Sequence, residues 1–119
     1  MIMKKVSDKQ KVINKEYKKM LEEFDRVTPR ICTGCNKPHP KVRLSHSHLI
    51  SRGDCQKIGK PELIFDPSNI TYHCLSIGNH KGCHDKWESK QRVELLDYEK
   101  NIDYIQSISE RMYYKYLVE

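Results

Sequence analysis

Four cysteines in two pairs, Cys32-Thr-Gly-Cys35 and Cys74 with Cys83-His84, bracket the segment Leu44-Ser-His-Ser-His-Leu-Ile-Ser-Arg52. A Cys-x-x-Cys knuckle supplies two thiolates from one turn, and a second pair further along completes a tetrahedral four-cysteine zinc site. Such a site dictates where the chain must return on itself. The pairs therefore read as a structural clamp, Cys32, Cys35, Cys74 and Cys83, that leaves the enclosed histidines free for chemistry. Cys74 and Cys83 are separated by Leu75 to Gly82, a longer insert than that of the first knuckle, and Gly78 and Gly82 allow it to loop out. His80 or His73 can replace one thiolate in a three-cysteine, one-histidine variant, with the four-cysteine set as the main reading.

The chain has 119 residues, of which 37% are hydrophobic and 32% charged, so a conventional core is thin and a bound metal can supply stability that burial does not. No apolar run resembles a secretory or membrane-spanning segment, which points to a soluble chain in the cytoplasm. In that compartment thiols stay reduced, and paired cysteines serve metals more often than disulfides. Cys55 is the odd cysteine and reads as a small, partly buried residue or an incidental thiol. The net charge of +6 suggests a polyanionic partner, most simply nucleic acid. One set of lysines, Lys4, Lys5, Lys9, Lys11, Lys15, Lys18 and Lys19, reads as the solvated face of a helix. A second set, including Lys41, Arg43, Arg52 and Lys57, surrounds the histidine segment and is better placed for phosphate contacts.

A single domain over 1–119 divides into three regions. Over 8–27, Ile13, Tyr17, Met20, Leu21 and Phe24 recur at helical spacing, and Thr28-Pro29 ends the helix. Over 30–90 glycines and prolines break the chain into short segments, with Val42 to Ile50 and Asn69 to His73 predicted as strands of a small ribbon. His39, between two prolines, is a loop residue. Helix returns from His84, with Trp87 as the residue that packs it onto the ribbon. The extension over 91–119 has a break near Asn101, where Asn101 or Asp103 can cap a last helix bearing Ile102, Ile105, Ile108, Met112 and Tyr116. That stripe suits the core, or a helix-helix or homodimer surface.

The order of knuckle, histidine strand, loop, strand, second cysteine pair and helix resembles the HNH nucleases of the ββα-metal superfamily, particularly their zinc-stapled, often phage-encoded members. The resemblance runs from Cys32 to about Glu88 and is carried by Cys32/Cys35, His48-Leu49-Ile50-Ser51-Arg52, Asn69-Ile70, Cys74 and Cys83-His84. It implies a small α+β fold, a zinc-stabilised ββα-metal core flanked by N-terminal and C-terminal amphipathic helices. It also implies a phage gene product acting inside a bacterial host.

The implied activity is hydrolysis of DNA phosphodiester bonds. Imidazole suits the general base near neutral pH, and a divalent ion such as Mg2+, Mn2+ or Ni2+ offsets charge on the transition-state oxygens. His48 matches the family's base, and His84 matches a ligand of the catalytic ion. Ser47 stands where the family usually has Asp or His. His46, two residues from His48 and so on the same strand face, is the candidate to replace that ligand, or in a competing alignment the base itself. Asn69 matches the family's asparagine, implied to tie the inter-strand loop and orient the base, while Asp66-Pro67-Ser68-Asn69 is also a turn signal. Arg52 is suited to bidentate phosphate contact or to an ordinary surface ion pair. A non-catalytic zinc module that binds nucleic acid is the alternative; it leaves the histidines without a role.

Overall fold

The structure, a computed structural model, describes residues 8–118; Lys4 and Lys5 of the N-terminal lysine set lie outside the described residues. Helix α1 spans Asp8–Val27. Its apolar stripe turns inward at Ile13, Tyr17, Met20, Leu21 and Phe24, while the lysines lie in solvent. Strands β1 (Leu44–His48) and β2 (Ile70–Cys74) form a two-stranded antiparallel ribbon in which Ser45 faces His73, His46 faces Tyr72 and His48 faces Ile70.

Both strands differ from their predicted limits because Asn69 takes over the backbone beyond His48. The Leu49 N–H donates to the Asn69 carbonyl and the Ile50 N–H to Asn69 Oδ1. Ile50 thereby leaves the ladder. A short helix, α2 (Arg52–Lys57), follows directly, capped by the Ser51 hydroxyl, which accepts the Asp54 N–H at 3.2 Å. Gly53, one of the glycines expected to break the chain over 30–90, instead lies inside this helix. The chain returns to β2 through 3-10 turns at Pro61–Phe65 and Pro67–Asn69, the second set by Asp66, whose side chain accepts the Ser68 N–H.

The C-terminal region is more broken than predicted. Helix α3 covers only Cys83–Trp87, a 3-10 turn occupies Lys90–Glu94, and α4 (Tyr98–Ile108) and α5 (Glu110–Tyr116) follow. The predicted break at Asn101 is incorrect, since Asn101 and Asp103 both lie inside α4 and Asn101 is buried. The break falls at Ser109, whose hydroxyl accepts the Met112 N–H and starts α5. Asn101 instead approaches Asp97, buried beside His73. The stripe of Ile102, Ile105, Met112 and Tyr116 is spent inside the chain, where it packs with Trp87, Ile50 and Cys83 in the main core.

A smaller apolar cluster of Phe24, Ile70 and Tyr72, with Met20 and Leu21 against it, seats α1 on the other side of the ribbon. The fold is thus a small α+β arrangement with a ribbon between α1 on one face and α3 on the other. No helix among the described residues is long and apolar enough to cross a membrane.

Candidate functional site

Cys32, Cys35, Cys74 and Cys83 converge, with their sulfur atoms all within 4.8 Å of one another. A tetrahedral zinc-thiolate site has sulfurs about 3.8 Å apart, given Zn–S distances near 2.3 Å, and Cys35 Sγ lies 3.9 Å from Cys74 Sγ. The cluster suits a metal ion such as zinc. Backbone N–H groups support negative charge there, the Cys74 N–H donating to Cys32 Sγ and the Cys83 N–H to Cys74 Sγ, each at 3.3 Å.

Close packing explains the glycines. A Cβ at Gly34 would lie 2.8 Å from Cys83 Cβ, and one at Gly82 would lie 2.3 Å from the Cys74 carbonyl oxygen. Gly78 takes φ 58° in the tight turn of the insert. His80 is exposed and stands outside the four-cysteine group, with its Nε2 3.6 Å from Cys74 Sγ. His73 is fully buried and bonded at 2.9 Å to Asp97, so it does not replace a thiolate. Cys55 is buried, and burial pushes its thiol up to about 11.

The strand alternation sorts the remaining candidates onto two faces. Ser45 and Ser47 point toward α3, where their hydroxyls meet His84 Nδ1 at 3.1 and 2.7 Å. His46 and His48 share the opposite face, toward α1. The expectation that His46 joins His84 around one ion is therefore corrected. His46 Nε2 is bound at 2.6 Å to Asp25 Oδ1, which also accepts the Tyr72 hydroxyl at 2.5 Å. Burial and the Asp25 carboxylate push that hydroxyl up to about 12, so it remains a donor.

His48 stands at the end of β1 and lines a cleft of about 440 Å³ together with His46 and His84. Its Nε2–H donates to the Ile64 carbonyl at 3.0 Å. A carbonyl only accepts, so Nδ1 carries the lone pair, and it has no hydrogen-bond partner among the described residues. Asn69, fully buried, holds the loop that supplies this carbonyl. Its amide accepts the Ile50 N–H at 2.8 Å and donates to the carbonyls of Ile50 at 3.0 Å and Leu63 at 3.2 Å. The Trp87 indole donates to the Leu49 carbonyl, fixing α3 against the same loop.

Of the four basic candidates, Arg52 lines the cleft, and its guanidinium sits 4.4 Å from the centre of the Tyr17 ring. Lys41 and Arg43 line a separate groove near His80, and Lys57 is exposed with its ammonium 3.9 Å from Asp54.

Four cleft residues, Asp54, Glu88, Arg92 and Lys115, escaped the sequence reading. Glu88 sits one helical turn past His84 and places Oε1 3.5 Å from His84 Nε2; that four-residue spacing after His84 is the signal that could have found it. Arg92 and Lys115 come from the C-terminal extension. Lys115 and the Tyr116 hydroxyl bind the two oxygens of Asp54 at 2.7 and 2.8 Å. Burial alone would raise that carboxyl, but these hydrogen bonds hold it below the usual carboxylate range. They close α5 onto α2 as one wall of the cleft.

His84 and Glu88 thus place an imidazole nitrogen and a carboxylate oxygen side by side in the cleft. Compared with protein-family models, curated proteins and solved structures, the chain matches none.

Proposed function

We propose that the chain is a metal-dependent DNA endonuclease of the HNH type, stapled by zinc at Cys32, Cys35, Cys74 and Cys83. The observation that carries this reading is the His48 imidazole, tautomerically set by the Ile64 carbonyl, in one cleft with His84, Glu88 and Arg52. The order β1, β2, α3 and its residues support it through their resemblance to the ββα-metal nucleases. His84 and Glu88 would hold the divalent ion, with Glu88 filling the ligand role that Ser47 leaves open. Bound there, Mg2+, Mn2+ or Ni2+ supplies positive charge near the scissile phosphate.

The protein's own groups do the rest. His48 Nδ1 takes a proton from water as the oxygen attacks phosphorus, and the bond to the 3′ oxygen breaks. Solvent returns a proton to that oxygen, leaving a 3′ hydroxyl and a 5′ phosphate. Arg52 holds non-bridging oxygens, and Lys115 extends positive charge along the cleft. Ser47 and Ser45 fix the His84 ring through Nδ1, leaving Nε2 turned toward Glu88.

Supercoiled plasmid incubated with the protein and Mg2+, Mn2+ or Ni2+ is expected to be nicked, and not with chelator at a concentration that spares the tightly held zinc. Absence of cleavage under all three ions, with DNA binding retained, would favour the non-catalytic zinc module instead.

The pH dependence follows from His48. Burial lowers its pKa below the ordinary value, the Ile64 carbonyl opposes this, and the charges of Arg52 and His46 lower it further. The base works only when neutral, so cleavage is present above that lowered pKa and lost as pH falls through it. The acidic limb of kcat/KM is expected to have its midpoint below about 6.5, the free imidazole value. A midpoint clearly above that value would contradict His48 as the base.

A further inference from the structure

Tyr17 belongs to α1, outside the segment that carries the resemblance, and the chemistry above does not use it. It also stands apart from the rest of its helical stripe. Met20, Leu21 and Phe24 pack with Ile70 and Tyr72, whereas Tyr17 meets His48, Arg52 and Phe65. Its ring stacks on the His48 imidazole with centroids 5.9 Å apart and planes inclined by 20°. The Arg52 guanidinium lies 4.4 Å from the ring centre. Phe65 meets the ring edge-on at 6.0 Å, one residue beyond the Ile64 carbonyl that holds His48.

A single hydrogen bond at Nε2 fixes one atom of an imidazole but lets the ring swing about it. A flat aromatic contact on the ring face removes that freedom, so carbonyl and stack together set where Nδ1 points. The same ring holds the guanidinium by cation–π attraction, which engages its face and leaves the N–H edges for phosphate. The Tyr17 hydroxyl has no hydrogen-bond partner among the described residues, so the ring itself makes these contacts.

We infer that Tyr17 is a positioning residue shared by His48 and Arg52, which makes α1 part of the catalytic site; this rests on the nuclease reading. The zinc-loaded full chain is compared with Tyr17→Phe and Tyr17→Leu in two assays. In plasmid nicking, Tyr17→Phe is expected to keep wild-type kcat and KM. Tyr17→Leu is expected to lose about tenfold in kcat through misplacement of the base, and to raise KM about threefold through the loosened Arg52. A packing role alone would lower the melting temperature and leave kcat per folded molecule unchanged. Wild-type kcat in the leucine variant, or equal losses in both variants, would overturn the inference.

The second assay records the NMR signals of the His48 ring protons, which the Tyr17 ring current displaces. The displacement is expected in wild type and Tyr17→Phe and lost in Tyr17→Leu. Unchanged signals in Tyr17→Leu overturn the inference even if the wild type cuts no DNA. A wild type that cuts nothing, with the displacement present in it and lost in Tyr17→Leu, overturns the nuclease role of Tyr17 together with that of His48.

Discussion

Replacing Cys74 by serine is expected to leave the chain without bound metal and largely unfolded at ordinary temperature. Cys74 closes the end of β2, and its sulfur sits among those of the first knuckle and of Cys83 at the start of α3. One ion there would join three segments that the thin apolar core joins only weakly. Structural zinc contributes about 10 to 16 kcal/mol of apparent binding energy, against a total stability of about 5 to 15 kcal/mol for an ordinary domain.

The thiols themselves do not replace it. Burial pushes Cys32 up to about 11, and burial with the neighbouring Cys32 sulfur pushes Cys83 higher still, so without a cation these groups stay protonated and uncharged at neutral pH. Metal must displace those protons, and retention is expected to weaken as pH falls. Circular dichroism with elemental analysis checks this, with about one zinc per wild-type chain and none in Cys74→Ser. A folded, metal-free variant with the wild-type melting temperature would contradict the clamp.

His48→Ala is expected to lower DNA cleavage by about 10² to 10⁴-fold, the usual contribution of a positioned general base. The fold should survive, because the Asn69 amide and the Trp87 indole hold the neighbouring loop without the imidazole. His46→Ala makes the informative contrast. It removes a partner of Asp25 and should cost about 1 kcal/mol of stability, yet leave the cleavage rate within a few fold, since its Nε2 is engaged at 2.6 Å by the Asp25 carboxylate.

Much of this layout is written in local signals. The stripe from Ile13 to Phe24 and the Thr28-Pro29 stop mark α1, and the cysteine pairs mark the four-cysteine cluster. Period-two alternation puts His46 and His48 on one face. Which face meets His84 is a tertiary matter, decided by how α3 packs through Trp87, and no local pattern encodes it. The same holds for Glu88, whose value lies in its reach to His84, and for Lys115, carried to Asp54 by a helix pair far along the chain. Asn101 looks like a cap by residue type, but it is buried inside α4. Gly53 looks like a breaker, yet the Ser51 cap and an open site for a side chain there let α2 form around it.

The most direct measurement is the initial rate of plasmid nicking in Mn2+ by wild type and His48→Ala side by side, each confirmed to be folded and to hold one zinc. The expected result is nicking by the wild type and a rate at least about a hundredfold lower for the variant. Equal rates in the two proteins, or no nicking by the zinc-loaded wild type, would contradict a hydrolytic site built around His48.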